Sequence, residues 1–436
     1  MARHENPRYN SLDQEITLAS PVGTLPQKAT SRAAMTFITV TVSLDFLAFG
    51  IIAPVLPNLI IQFEGGNMSR AADVTGYFGF AWNLMQFLFL PVLGAWSDRF
   101  GRRPVILISC LGLGLDYIFM ALAPSLRWLF VGRLISGITA SNVSTAFAYI
   151  TDITEPAQRA KRFGMLGAAF GVGFVVGPAV GGFLGHYNLR APFWAAATLS
   201  LANFLYGLFV LPESLPKEKR AKSAWHMANP LGSLTLLRSH PELTTLSVVC
   251  LLYYLAQQAL QSVFVLYTEY RYAWNTRDVG VSLAVVGVCS AIVSGILVGP
   301  YIKRVGERLG LTSGLFFGVL GFLGFGFATH GWGMLAAIPF IALWGVGGPA
   351  MQSLMSQRVD HTSQGKLQGA INSLRALAGM AGPLLFTQVF AAAISPTARV
   401  HLPGAPYFLA AALLAAALLV AAVVIRLSTA EKRAAA

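Results

Sequence analysis

Long apolar runs follow one another along almost the whole chain and are separated by short polar segments. A helix that crosses a bilayer needs ~20 mostly apolar residues, and twelve runs meet that requirement. Their approximate limits are 33–61, 75–96, 104–123, 128–150, 163–184, 191–211, 244–267, 279–302, 309–328, 332–355, 367–393 and 405–425. The pattern predicts an all-α membrane protein with twelve transmembrane helices.

The polar segments on the two sides of these runs differ in charge. If the N-terminus is cytoplasmic, the inside segments carry 23 Lys and Arg residues, the outside loops carry six, and every lysine lies inside. Cytoplasmic loops of membrane proteins collect Lys and Arg, so the asymmetry predicts that both termini are cytoplasmic. It also accounts for the net charge of +13 without nucleic-acid binding, for which one basic face would be expected.

The composition excludes a soluble domain, and the sequence contains few features that point to an enzyme. Hydrophobic residues make up 55% of the chain and charged residues 11%, whereas soluble domains carry roughly 25% charged residues. The three cysteines are widely spaced and form no metal-ligand pattern. A phosphate-binding loop of the G-x-x-x-x-G-K-[ST] type is also missing. We therefore expect no catalytic activity, metal or cofactor, and an ion gradient as the source of energy.

The longest inside segment divides the twelve runs into two sets of six. Five residues of the first half, Gly94, Gly101, Arg103, Gly164 and Pro178, recur 205 positions later as Gly299, Gly306, Arg308, Gly369 and Pro383. Repeated halves around a central site are typical of secondary transporters. The predicted organisation is a disordered cytoplasmic tail (1–31), a six-helix bundle (32–211), a cytoplasmic linker (212–243), a second six-helix bundle (244–426) and a cytoplasmic tail (427–436).

The segment from Gly94 to Pro104 combines a glycine turn, an acid and three arginines. Gly101 permits an unusual backbone angle, and arginines anchor an inside loop, but an acid adds nothing to topology. The segment resembles the signature loop of the major facilitator superfamily, G-x-x-x-D-R-x-G-R-R. That resemblance implies a conformational latch, and its residues would be Asp98, Arg99, Gly101, Arg102 and Arg103. Lys303 replaces the acid in the second copy, which would lack the latch.

The fifth apolar run carries glycines at helical spacing and the pair Gly177-Pro178. Small residues at this spacing let helix backbones approach closely, and on physical grounds alone simple packing is an equally good explanation. The pair resembles the motif that marks proton-coupled antiporters of the superfamily. We expect helix bends at Gly177-Pro178 and at the repeat position Pro383.

Segments in both halves resemble the tetracycline efflux proteins of Gram-negative bacteria. They are residues 97–124, 132–139, 267–275, 364–369 and 382–386. The resemblance implies the twelve-helix fold of the superfamily, a place in the bacterial inner membrane and a functional monomer. It also implies export of a drug, carried as a positively charged magnesium chelate, in exchange for protons.

Four ionisable residues lie well inside apolar runs: Asp45, Asp116, Arg133 and Arg375. A charge at the centre of a membrane helix costs at least ~2.5–3.5 kcal/mol and usually faces a cavity or a partner. A fixed ion pair of Asp116 with Arg133 is the structural alternative to a functional role. The resemblance assigns proton or substrate binding to Asp45 and Asp116, and assigns to Arg133 control of their charge.

The second half departs from the resembled family. Ser290 and Gly318 stand where those proteins carry a histidine and an acid, and Arg375 stands where they carry a small polar residue. Three partners for Arg375 remain open: Asp45 or Asp116, backbone carbonyls near Gly379–Gly382, or an acidic group on the substrate, which we favour. Neutral polar residues predicted to line the cavity are Asn83, Gln86, Gln257, Gln258, Gln261, Gln352 and Asn372.

Three functions follow from these observations. The first is proton-coupled export of drug-like molecules by alternating access. The second, suggested by Arg375 and the missing acid of the second half, is import or facilitated passage of a small anionic metabolite. A non-transporting membrane receptor is the third, and the repeat and the buried acids argue against it.

Overall fold

In a computed structural model the chain is built from helices that are long enough to cross a membrane. The structure describes residues 27–140, 142–221, 232–238, 241–360 and 363–434. The first six spans are Gln27–Ile52 with Leu56–Phe63 (span 1), Met68–Phe100 (span 2), Arg102–Leu122 (span 3), Leu126–Thr139 with Asn142–Ile153 (span 4), Pro156–Tyr187 (span 5) and Ala191–Val210 (span 6).

The second six spans follow the linker. They are Pro241–Tyr272 (span 7), Thr276–Ile292 continued through the π-helical turn Val293–Leu297 to Gly306 (span 8), the rest of Val298–Phe327 (span 9), Gly331–Trp344 with Gly347–Ser356 (span 10), Gln364–Ile394 (span 11) and Ala405–Ala434 (span 12). Composition alone marks ten membrane-length stretches in the described residues, since spans 8 and 9 are continuous and span 4 is split. The predicted all-α fold is confirmed, and the count of twelve is consistent with it.

The helices extend beyond the apolar runs that predicted them. Span 2 begins at Met68, seven residues before its predicted limit, because the Asn67 side chain caps the helix by accepting a hydrogen bond of 3.1 Å from the Arg70 N–H. Span 1 begins at Gln27, inside the predicted tail 1–31, of which residues 1–26 lie outside the described residues. Span 12 runs to Ala434, into the predicted tail 427–436.

The linker contributes a short 3₁₀ helix, Gly232–Arg238. Residues 222–231 and 239–240 lie outside the described residues, so the limits of the linker, 212–243, stay a prediction. The backbone supports the internal repeat on either side of it. Gly101, between spans 2 and 3, has φ 109° and ψ 158°, and Gly306, between spans 8 and 9, has φ 78° and ψ 165°.

The two halves meet closely at one end of the bundle. We call it the distal end; it carries the connections 123–125, 188–190 and 273–275, whereas the basic end carries Gly101 and Gly306. A Cβ atom placed on Gly280 of span 8 would lie 2.5 Å from the Pro178 carbonyl oxygen of span 5. One placed on Gly76 of span 2 would lie 3.3 Å from the Pro383 carbonyl oxygen of span 11. Two related seams of close helix contact therefore close the distal end.

The same helices separate towards the basic end. On span 5, a Cβ atom on Gly164, Gly167 or Gly171 would meet no described atom within 4 Å, and the same holds for Gly295 and Gly299 on span 8. Spans 2 and 11 stay in contact as far as Asn83 and Gly379. A central cavity consequently opens at the basic end, and the seams close it distally.

Candidate functional site

Asp116 lies inside the N-terminal half at the middle of span 3. Its exposed fraction is 2%, and neither carboxylate oxygen has a hydrogen-bond partner among the described residues. Gly132 of span 4 leaves room for the group, because a Cβ atom there would lie 3.2 Å from an Asp116 carboxylate oxygen. An acid of this kind in an apolar interior is uncommon, since a buried carboxylate normally has a partner.

Arg133 follows Gly132 directly and contacts an aromatic ring. Its guanidinium carbon lies 5.1 Å from the centre of the Trp82 ring on span 2, and that ring stacks on Phe49 of span 1. Ion pairs within 4 Å in the described part of the chain do not include Asp116 with Arg133. The fixed pair considered from the sequence is therefore absent in this conformation, although Arg133 acts electrostatically on Asp116.

Asp45 on span 1 is held by a hydrogen bond from span 6. The Asn203 amide of span 6 donates to an Asp45 carboxylate oxygen at 3.0 Å and also to the Thr41 carbonyl at 3.0 Å. Asn203 is buried and was missed in the sequence, where its signal was an amide within an otherwise apolar run. Tyr117 lies within electrostatic range of Asp45, Asp116 and Arg133, so three of the four predicted charges share one region of the N-terminal half.

Arg375 lies apart from these acids on span 11. Its side chain is exposed, one helical turn from the point where spans 2 and 11 separate, and its guanidinium carbon lies 4.8 Å from the centre of the Tyr254 ring. No ion pair links Arg375 to Asp45 or Asp116 within the described ranges. The first predicted partner is therefore not used in this conformation, and the ring of Tyr254 is a contact that the sequence did not reveal.

The predicted neutral polar residues divide into two groups. At the seam, Asn83 donates to the Gly79 carbonyl at 2.8 Å and packs against Gly379, and Gln258 packs against Gly382. Towards the basic end, the amide of Gln352 donates to Gln368 at 2.8 Å, and the two line a cavity of about 310 Å³ between spans 10 and 11.

The other residues predicted to line the substrate cavity differ in their exposure to solvent. Gln86 and Gln257 are half-buried, and Gln261 and Asn372 are exposed. Gln368 brings Asn372 towards Gln352, since its amide also donates to Asn372 at 3.5 Å. Spans 5 and 11 run as unbroken helices through Gly177, Pro178 and Pro383, and the bends there stay a prediction.

The signature loop is organised around Arg102 at the basic end. The Arg102 guanidinium pairs with Asp98 and, at 3.1 Å, with Asp152 of span 4. Its backbone N–H donates to Glu213, which follows span 6, at 2.9 Å. Arg103 donates to the Leu208 carbonyl at 2.6 Å, and Arg99 lies over the Phe100 ring. In this conformation the loop is therefore tied to spans 4 and 6 of its own half.

Asp98 offers a first prediction about this loop. Asp98→Asn should impair transport and leave substrate affinity largely intact, because the side chain is half-exposed at the basic end and far along span 2 from the seam. Transport into vesicles and equilibrium binding, measured on the same preparation, separate the two effects. Normal transport by the variant would exclude the latch.

Gly101 offers a second prediction, about stability. Its φ of 109° suits glycine, and a Cβ atom there would lie 2.2 Å from a Glu213 carboxylate oxygen. Gly101→Ala should therefore lower the free energy of unfolding by about 1–3 kcal/mol, measured by thermal unfolding in detergent. Gly94→Ala is the control: it lies in the same motif, inside a helix, with no described atom within 4 Å of the new methyl group. Equal melting temperatures for both variants would contradict the argument.

The fold and the site together define a polytopic membrane transporter with a central cavity between two related halves. Residues 38–383 match the model of the Major Facilitator Superfamily. The chain is 39% identical to the class C tetracycline resistance protein of Escherichia coli, over 84% of this chain and 91% of that protein. It is 37% identical to the class G tetracycline resistance protein of Vibrio anguillarum, over 83% and 91%.

Among solved structures, the human organic anion transporter MFSD10 (TETRAN) is 26% identical, with a TM-score of 0.67 over 91% of this chain and 100% of that one. The chain belongs to the Major Facilitator Superfamily and, within it, to the family of the tetracycline resistance proteins. It is a multi-pass protein of the bacterial inner membrane and, as a member of a transporter family, is not assigned to an enzyme family.

Proposed function

We propose that this protein exports a drug-like small molecule of the tetracycline type in exchange for protons, by alternating access. Asp116 is the observation that carries the proposal. An ionised carboxylate in an apolar interior needs a compensating partner, and no described residue donates a hydrogen bond to it. A proton or a cationic group of the substrate can supply that partner, and the two then compete for one site.

Arg133 and Asn203 set the conditions of this competition. The Trp82 ring contacts the Arg133 guanidinium, and a contact of this kind is worth ~0.5–2 kcal/mol. From this position the positive charge of Arg133 acts electrostatically on Asp116. The hydrogen bond from Asn203 keeps Asp45 in place on span 1. In this proposal Asp116 exchanges the proton, Asp45 supports cation binding, and Arg133 tunes both.

Export is the direction we propose, and in this conformation the cavity is open at the end where such an exporter takes up its substrate. With both termini in the cytoplasm, as the basic loops favour, the basic end is cytoplasmic and the cavity takes substrate from the cell interior. A functional monomer, without cofactor, completes the proposal. When the distal seams open and the basic end closes, the site faces the other side of the membrane.

In span 9, Gly318 stands where the resembled family carries an acid. The position of the missing acid in span 9 is filled, since a Cβ atom on Gly318 would lie 2.9 Å from the Trp344 ring and 2.6 Å from Leu414. An acid therefore has no room at this position. A magnesium chelate of tetracycline, if carried, would depend on the acids of the N-terminal half alone.

Drug susceptibility of cells that express the protein tests the proposal. Cells with the wild-type chain should grow at higher tetracycline concentrations than cells with Asp116→Asn, at equal expression. In everted vesicles, substrate addition should release protons from the lumen. Wild-type cells that are as sensitive as cells without the protein, for every drug of a broad panel, would contradict drug export.

Anion transport is a second candidate, favoured by Arg375. Its guanidinium is exposed to the central cavity, stays charged at all relevant pH values, and is paired with no described acid. The 26% identical human structure is that of an organic anion transporter. Uptake of labelled organic anions by cells that express the protein, without effect on drug susceptibility, would favour this candidate.

A further inference from the structure

A second cavity lies at the distal end, on the other side of the seams from the central cavity. Its volume is about 380 Å³, within the range of small-molecule sites. Both halves line it: spans 1 and 5 from the N-terminal half, and spans 7 and 8 from the C-terminal half. The lining residues used below are Asn58, Ile61, Leu189, Glu269, Trp274 and Thr276.

Two buried oxygen atoms at this distal cavity accept no hydrogen bond from the described residues. The Asn58 amide nitrogen donates to the Thr276 hydroxyl at 3.1 Å across the interface. Asn58 Oδ1 and Glu269 Oε2 are both buried and have no hydrogen-bond partner among the described residues. The exposed fraction of Asn58 is 8%. Buried acceptors are rarely left unpaired, so these two oxygens suit a ligand that carries N–H or O–H donors.

The charge of the lining favours a cation, and its apolar residues favour an organic one. Glu269 supplies a carboxylate. Among the described lining residues there is no Lys or Arg, and His186 is the other titratable group. A metal ion is disfavoured, since no group of three His, Cys, Asp or Glu residues in the described part of the chain could hold one. Trp274, Ile61 and Leu189 add an apolar wall that suits the body of an organic ion.

We propose that the distal cavity binds a small organic ammonium ion from the distal solution. The Glu269 carboxylate and the Asn58 amide oxygen accept its N–H groups, and Trp274 contacts its apolar body. Asn58 and Glu269 belong to opposite halves, so the ion binds the distally closed conformation best and shifts the protein towards it. It therefore slows export from the distal side; this last step rests on the proposed function, whereas binding itself does not.

Binding of benzylammonium to the purified protein in lipid nanodiscs tests the proposal. Calorimetry at neutral pH should show binding that Glu269→Gln weakens at least about tenfold, as expected for loss of a charged acceptor. Asn58→Ala should weaken binding roughly fivefold, as expected for a neutral acceptor. The control is Glu64→Gln, which removes an acid at the same end of the protein but outside the cavity lining and should bind as wild type does.

Four results would overturn the proposal. Benzyl alcohol, which has the same ring but no charge, could bind equally well. Magnesium chloride alone could saturate the site and displace benzylammonium. Glu269→Gln could bind with unchanged affinity, or Asp116→Asn could abolish binding, which would place the ion in the central cavity. Export that fails while benzylammonium still binds in a Glu269-dependent way would refute the proposed function and leave the distal site standing.

Discussion

Asp116→Asn should reduce substrate-driven proton movement to the level of vesicles without the protein. Asparagine has nearly the shape of aspartate but does not take up or release a proton at physiological pH. The exchange therefore loses the site that proton and substrate share. Folding should be preserved, because the substitution removes a buried acid that has no hydrogen-bond partner among the described residues. Lumenal pH, followed with a fluorescent dye in everted vesicles after substrate addition, measures the effect.

Asp73→Asn is the matched control for this experiment. Asp73 also lies on a transmembrane helix of the N-terminal half, but near the distal end of span 2 and away from Arg133. It should keep the wild-type proton signal. Substrate-driven proton movement that survives in Asp116→Asn would assign the coupling site to Asp45 or to another group.

Arg375→Ala should change which substrates are carried. The exposed guanidinium over Tyr254 is a fixed positive charge in the central cavity, and a hydrogen bond to a charged group is worth ~1.5–3 kcal/mol. The variant should therefore bind acidic or zwitterionic compounds about tenfold to a hundredfold more weakly. Cations should be carried as well as before or better, because a repulsive charge has been removed. Transport of matched acidic, zwitterionic and cationic compounds measures the shift.

Two further variants sharpen the test of Arg375. Arg375→Lys keeps the charge but loses the planar contact with Tyr254, and it should retain part of the preference for acidic compounds. Arg399→Ala removes an exposed arginine from the distal end and should change nothing. An equal loss for every substrate would show that Arg375 serves a conformational or structural role, and the proposed substrate charge would be wrong.

The fold could be predicted because the membrane imposes a length and a polarity on each span. The twelve runs reappear as helices, but their limits differ, since backbone hydrogen bonding continues through polar residues such as Asn67 to Arg70 where hydropathy ends. Span 4 was predicted as one helix, and the structure splits it into Leu126–Thr139 and Asn142–Ile153. The sequence carries a sign of that break, since residues 136–145, SGITASNVST, are mostly small or polar, but the apolar residues on either side made the run read as one span.

The charges of the site could be predicted from their position, but their partners could not. Asp45, Asp116, Arg133 and Arg375 are conspicuous because each interrupts an apolar run. What each contacts depends on how helices distant in sequence pack together. Asn203 reaches Asp45 across 158 residues of sequence, and Tyr254 reaches Arg375 from another helix. Their roles in transport stay predictions.

The glycine seams affect the free energy needed to separate the two halves at the distal end. At Gly280 and Gly182 the backbones themselves touch, and at Gly76 the nearest groups are the Thr387 hydroxyl and the Pro383 carbonyl, so separation there exposes few large apolar side chains to water. Hydrophobic free energy scales with the apolar area exposed, at about 25 cal/mol per Å². Separating helices that meet at glycines therefore costs little hydrophobic free energy. Such an interface favours fast opening and closing of the distal end in each transport cycle. The close fit of the helices at the glycines aligns the two halves in the same way each time the end closes.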